Sequence, residues 1–222
     1  MTAENVLKIL RQHANPANVE GMAHYGINTR NTLGVSIPFL RQLARGYRRQ
    51  HKLALDLWAT EVHEARILAT LVDDPRQVTP TQMESWVKDL DSWDVCDQLC
   101  NNLFRRTPAA WAKALAWSKR KPEFVRRAGF VLMASLAVHD KAATDADFEI
   151  FFAAILAGAT DERNFVRKAV NWALRQIGKR NASLRRRALA VADEIAALDS
   201  KAARWIAADA RRELRRGAGA SA

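Results

Sequence analysis

Apolar residues recur at steps of three and four along nearly the whole chain. Strict apolar–polar alternation with β-branched enrichment is missing, and so are Asn-Gly or Asp-Gly hairpin turns. In the segment Glu162–Lys179, Val166, Val170, Ala173 and Ile177 fall on one side of a helix. In the segment opening at Ser92, Val95, Leu99 and Leu103 do the same. The pattern predicts an all-α protein. Breakers at Pro16, Gly34, Pro38, Pro75, Pro80, Pro108, Pro122, Gly158, Gly178 and Leu198–Ser200 cut it into about eleven or twelve helices of roughly ten to eighteen residues. Helix starts are expected at Asp91-Ser92, Thr107-Pro108, Lys121-Pro122-Glu123 and Thr160-Asp161-Glu162, where a short side-chain oxygen or an early proline deals with unpaired amides.

The second half repeats itself. Phe124-Val125-Arg126-Arg127-Ala128 recurs as Phe165-Val166-Arg167-Lys168-Ala169, with Ala203-Arg204-Trp205-Ile206-Ala207 as a looser third copy. A period of about forty residues fits HEAT-like helical pairs stacked into a solenoid with a concave face, each pair burying what its neighbour leaves open. A non-repetitive helical bundle is the alternative. Residues 1–216 read as a single domain and 217–222 as a disordered tail.

Charge adds a partner to this picture. Lys and Arg number 35 against 24 Asp and Glu, a formal charge of +11. That suits a polyanion, because each neutralised phosphate releases condensed counterions, and it predicts that the concave face is basic. Met1–Arg11 has no uninterrupted apolar stretch and no small-residue cleavage site, and nowhere do apolar residues run long enough to span a bilayer. A cytoplasmic protein away from membranes is expected. Cys96 and Cys100, the two cysteines, cannot assemble a four-ligand metal site and read as small buried thiols. Phosphate-binding glycine loops, His-Glu-x-x-His and Gly-x-Ser-x-Gly are missing, and His13, His24, His51, His63 and His139 stand singly, as surface or packing residues.

Three constellations could carry chemistry. Trp172 falls opposite the apolar stripe of its helix, among Lys168, Arg175 and Lys179; it either packs on a neighbouring helix or presents its ring to a ligand whose phosphates the cations hold. Trp93 and Asp97 stand one helical turn apart on a common face. An indole beside a carboxylate suits a cation, and an ion pair within the protein is the alternative. Arg126 and Arg127 enter near a helix N-terminus, where they could meet a phosphate or form a cap with an acidic side chain.

At these residues the chain resembles the AlkD-type DNA alkylation repair family over nearly its whole length. The resemblance runs through Met22-Ala23-His24-Tyr25, Leu33-Gly34-Val35-Ser36-Ile37-Pro38, Ser92-Trp93-Asp94-Val95-Cys96-Asp97 and Phe165–Arg175, and it departs at Ser36-Ile37, where the family pattern has a polar pair. It implies a HEAT-like DNA glycosylase that removes cationic N3- or N7-alkylated purines from duplex DNA with no metal or cofactor; a solenoid with capped ends needs no partner, so a monomer is expected. On that pattern Trp93 and Trp172 are aromatic walls, Asp97 is the catalytic carboxylate, and Arg127 is the arginine of the cleft. Tyr25 and Arg175 are DNA-contact candidates on the same pattern, and Lys168, Lys179 and Arg126 are expected to join them from the basic stripe and the helix N-terminus. A catalytically silent DNA-binding scaffold and a solenoid that binds an acidic protein are the competing functions.

Overall fold

The computed structural model describes residues 2–216, and among them it has thirteen α-helices and no strand. Contacts divide the chain into two compact units, Met1–Thr107 and Pro108–Ala222, where the sequence suggests one domain. The expected tail at 217–222 lies outside the described residues.

The first unit holds α1 (Ala3–Gln12), α2 (Pro16–His24), α3 (Ile37–Ala44), α4 (His51–Trp58), α5 (His63–Val72), α6 (Pro80–Lys88) and α7 (Trp93–Gln98). Thr2, Asn15, Ser36 and Thr79 each open a helix by accepting a hydrogen bond from the backbone N–H three residues on, a cap worth about 1 kcal/mol. Pro16, Pro38 and Pro80 sit in the first turns of α2, α3 and α6, so these prolines start helices, where no amide is missed. The hub is α5, whose Ala65, Ile67, Leu68, Ala69 and Val72 are buried against α1, α3, α4 and α7. Trp58 stacks on Trp86 with ring centroids 4.1 Å apart, and its indole N–H donates to Asp89 at 2.9 Å. Beyond α7 the backbone winds into a π-helical turn, Leu99–Leu103, and then a 3-10 turn, Phe104–Arg106. Val95, Leu99 and Leu103 are buried, as the apolar stripe predicts, and Cys96 and Cys100 are buried thiols outside any disulfide.

The second unit is the repeat made visible. It holds α8 (Ala110–Ser118), α9 (Glu123–His139), α10 (Asp145–Gly158), α11 (Asn164–Gly178), α12 (Ala182–Ala196) and α13 (Lys201–Arg216). The pairs α8/α9, α10/α11 and α12/α13 stack so that α9, α11 and α13 form one row and α8, α10 and α12 the other. The period reappears as contacts between repeats. Phe124 packs on Phe165 at 5.8 Å. Asn171 donates to Asp209 at 2.7 Å, 38 residues on, and Arg187 pairs with Glu149 at 3.2 Å, also 38 residues apart. Arg180 donates to the carbonyls of Ala137, Asp140 and Ala143 at 2.7–3.0 Å, fastening one pair to the loop of the pair before it.

Two helix starts differ from expectation. α8 begins at Ala110, beyond Thr107-Pro108, and α11 begins at Asn164, with Arg163 at its boundary. In the second case the acids have other partners. Asp161 binds Arg163 at 2.7 Å and Arg126 at 3.2 Å, while Glu162 accepts from Ser200 Oγ at 2.7 Å and Ala202 N–H at 3.1 Å, so it caps the next repeat's α13 instead of its own helix.

Close approach within a pair depends on Gly129 in α9. A Cβ there would stand 2.4 Å from the backbone N of Ser118 and 2.9 Å from the carbonyl oxygen of Ala114, both in α8. Backbone cannot rotate aside as a side chain can, so α8 would have to shift. Gly129→Ala is expected to destabilise the protein by about 1–3 kcal/mol in urea unfolding, despite alanine's better helix propensity.

Candidate functional site

The first unit contains a cleft of about 730 Å³. Its floor is the first turn of α5, with His63, Glu64 and Ile67. One wall is α2 with the Gly34–Ile37 segment, and the other is α7 with Trp93, Asp94, Asp97 and Gln98. Three of the lining residues are carboxylates and none is lysine or arginine, in a chain whose formal charge is +11. A low-lying acidic pocket with an aromatic rim favours a cation over a phosphate.

Each wall is held for an identifiable reason. Gly34 has φ +75°, and a Cβ there would lie 2.2 Å from the carbonyl oxygen of Asn15, so only glycine lets this segment lie against α2. Glu64, 1% exposed, reaches across to it. Its Oε1 accepts from Gly34 N–H at 2.6 Å and Val35 N–H at 3.2 Å, and its Oε2 from Leu33 N–H at 2.9 Å. Ser36, exposed, caps α3, and Ile37 lines the cleft.

On the opposite wall, Ser92 is the first residue before α7. Its hydroxyl donates to Asp94 Oδ1 at 2.6 Å and makes no cap, while Asp94 Oδ2 meets His63 Nε2 at 2.8 Å. The Trp93 indole N–H donates to the Tyr25 carbonyl at 3.1 Å, tying α7 to the end of α2. The Tyr25 ring is 72% exposed at the rim. Trp93 and Asp97 share the half-buried face of α7 with Asp94 and Gln98, as their spacing predicts.

The remaining expected site residues belong to the second unit. Arg127 is 5% exposed and donates through Nη1 to the Phe165 carbonyl at 2.6 Å, so it joins α9 to α11. Arg126 is half-buried and paired with Asp161. On α11, Trp172 is half-buried and Lys168 exposed. The open basic stripe expected on that helix is corrected in part. Arg175 pairs with Glu213 and, at 3.3 Å, with Asp209, and Lys179 also pairs with Glu213. The face carrying them packs on α13, whose carboxylates the helix's own sequence does not reveal.

Sequence reasoning missed the floor. His63 appeared as one of five scattered histidines, Glu64 not at all, and Asp94 only as part of a motif. A Glu in a first helical turn is the one local signal, and it points to the helix dipole, not to amides 29–31 residues earlier. Among the described residues no group of His, Cys, Asp and Glu is placed to hold a metal ion, and no helix is long and apolar enough to cross a membrane.

Comparison with known proteins agrees with this architecture. No curated protein matches the chain. A solved structure, described as a new family of proteins related to the HEAT-like repeat DNA glycosylases with affinity for branched DNA structures, superposes with TM-score 0.81 at 18% identity. The match covers 98% of this chain and 95% of the other. At that identity the likeness establishes the fold, which is HEAT-like. The family model for the DNA alkylation repair enzyme matches residues 6–214, and the chain therefore belongs to the DNA alkylation repair enzyme family.

Proposed function

We propose that the protein is a DNA glycosylase of alkylation repair that hydrolyses the N-glycosidic bond of cationic N3- or N7-alkylated purines in duplex DNA. The observation that carries this reading is the acidic, aromatic-rimmed cleft with Trp93, Asp97 and Tyr25 in an otherwise strongly basic chain. A base alkylated at N3 or N7 carries a positive charge, and breaking its bond to C1′ builds positive charge on the sugar. The electron pair of the C1′–N bond moves onto the base and discharges it. Water forms the new bond to C1′, and its proton passes to bulk water, directly or by way of the Asp97 carboxylate. Asp97 stabilises the oxocarbenium-like transition state and orients that water, and the Trp93 face attracts the cation. Because the leaving base is already activated, no strong general acid is needed.

In the second unit, Trp172 is an aromatic wall, Arg127, whose bond to Phe165 fixes its guanidinium, a catalytic arginine, and exposed Lys168 a phosphate contact. Arg126, Arg175 and Lys179 already hold carboxylates, which a phosphate would share or displace. The enzyme works as a cytoplasmic monomer without cofactor.

A second reading is favoured by the solved neighbour's affinity for branched DNA: a catalytically silent scaffold of the same fold. Incubation with a duplex carrying one 7-methylguanine distinguishes the two. Release of free base with an abasic site left behind is the expected result. Tight binding of a four-way junction without release would support the scaffold, and binding of neither DNA would remove both.

A further inference from the structure

The first turn of α5 controls more of the cleft than its floor. His63 is 5% exposed and separates the acidic cleft from a second, polar hollow of about 450 Å³. Its backbone N–H donates to the Asn31 carbonyl at 2.9 Å, and its neighbour Glu64 grips the Leu33–Val35 wall. Its imidazole Nε2 meets Asp94 Oδ2 at 2.8 Å, while Ser92 Oγ occupies the other oxygen of that carboxylate. Ser92 and Asp94 flank Trp93 in the chain, and Asp97 follows one turn on. Whatever holds Asp94 therefore holds the end of the helix that presents both residues.

We infer that His63 is a positioning residue whose protonated imidazole, acting through Asp94, fixes the N-terminal turn of α7 and so makes the placement of Trp93 and Asp97 depend on pH. The inference rests on the reading of this cleft as the site of base release.

The surroundings favour the charged pair. Burial alone would lower the His63 pKa, but the hydrogen bond and charge of Asp94, with the charges of Glu64 and Asp91, raise it above its ordinary 6.5. Arg30, Glu61, Arg66 and Asp89 border it across the polar hollow. Burial would raise Asp94, and the bond and charge of His63 with the Ser92 hydroxyl bring it below its ordinary 3.8. The signs follow by linkage. The His63 contribution is complete below 6.5 and is lost as pH rises through its higher folded value. The Asp94 contribution is present above 3.8 and is lost as pH falls through its lower one. The clamp is thus complete between the two ordinary values, above 3.8 and below 6.5, and loosens as pH rises through the raised His63 value.

The test has a readout independent of catalysis. The imidazole resonances and the Trp93 indole N–H are followed by NMR across pH, with His63→Gln identifying the His63 signal. Gln keeps an N–H donor for Asp94 but cannot titrate. In the wild type the Trp93 resonance should move with the His63 midpoint, and in His63→Gln it should stay still. Single-turnover release of 7-methylguanine should fall roughly tenfold through the same midpoint in the wild type, stay flat near the wild type's alkaline level in His63→Gln, whose neutral N–H does not replace the positive charge, and be no higher in His63→Ala. A Trp93 resonance indifferent to His63, or a wild-type pH profile in His63→Gln, would overturn the inference. Absence of base release by the wild type would strike the glycosylase reading alone and leave the NMR result to decide this one.

Discussion

Asp97→Asn is expected to reduce release of 7-methylguanine from duplex DNA by at least about 10²–10³-fold, measured under single turnover, while affinity for the same duplex changes only a few-fold. Asn keeps the size and half-buried placement of the side chain on α7 but removes the negative charge that opposes the developing oxocarbenium. An effect on turnover without one on binding marks an interaction made in the transition state and not in the ground state. Equal losses in both would mean that Asp97 holds the cleft together. No loss in either would sink its assignment as the catalytic carboxylate.

The second large effect concerns stability. Glu64→Ala removes a buried carboxylate that accepts from the amides of Leu33, Gly34 and Val35. Each orphaned buried amide costs about 1–3 kcal/mol, and part of this is recovered where water can enter from the cleft. A net loss of about 3 kcal/mol or more is expected, read as a drop of roughly 6–12 °C in Tm. Glu64→Gln should recover only part of it, since one carbonyl oxygen replaces two charged ones and the amide nitrogen faces donors. A Glu64→Ala protein as stable as the wild type would show that the Gly34 segment keeps its shape without this clamp.

These two residues also mark what a sequence can convey. Trp93 and Asp97 were legible because both lie on one helix four residues apart, and helical periodicity alone places them on a common face. The HEAT-like repeat was legible for a related reason: Phe124 and Phe165 recur at the period at which their helices stack. Glu64, His63 and Asp94 were not legible, since their partners come from segments about thirty residues away and neither propensity nor pattern encodes such a pairing. The π-helical turn after α7 left no local signature either. On α11 the periodicity placed Arg175 and Lys179 opposite the apolar stripe but could not say that α13 would bring Glu213 to them. Prolines 16, 38 and 80 punctuated the chain as expected, though as the first turns of helices and not as their ends.

The network between α11 and α13 bears on how ionic strength would act on complexes with nucleic acid. Arg175 and Lys179 already carry resident anions in Asp209 and Glu213. A phosphate that displaced such a carboxylate would free one cation from the DNA's ion atmosphere, yet leave behind a bare carboxylate that recruits another. The exchange is nearly neutral in counterions. The slope of log affinity against log salt, which counts phosphates neutralised without such compensation, would then be shallower than a formal charge of +11 suggests.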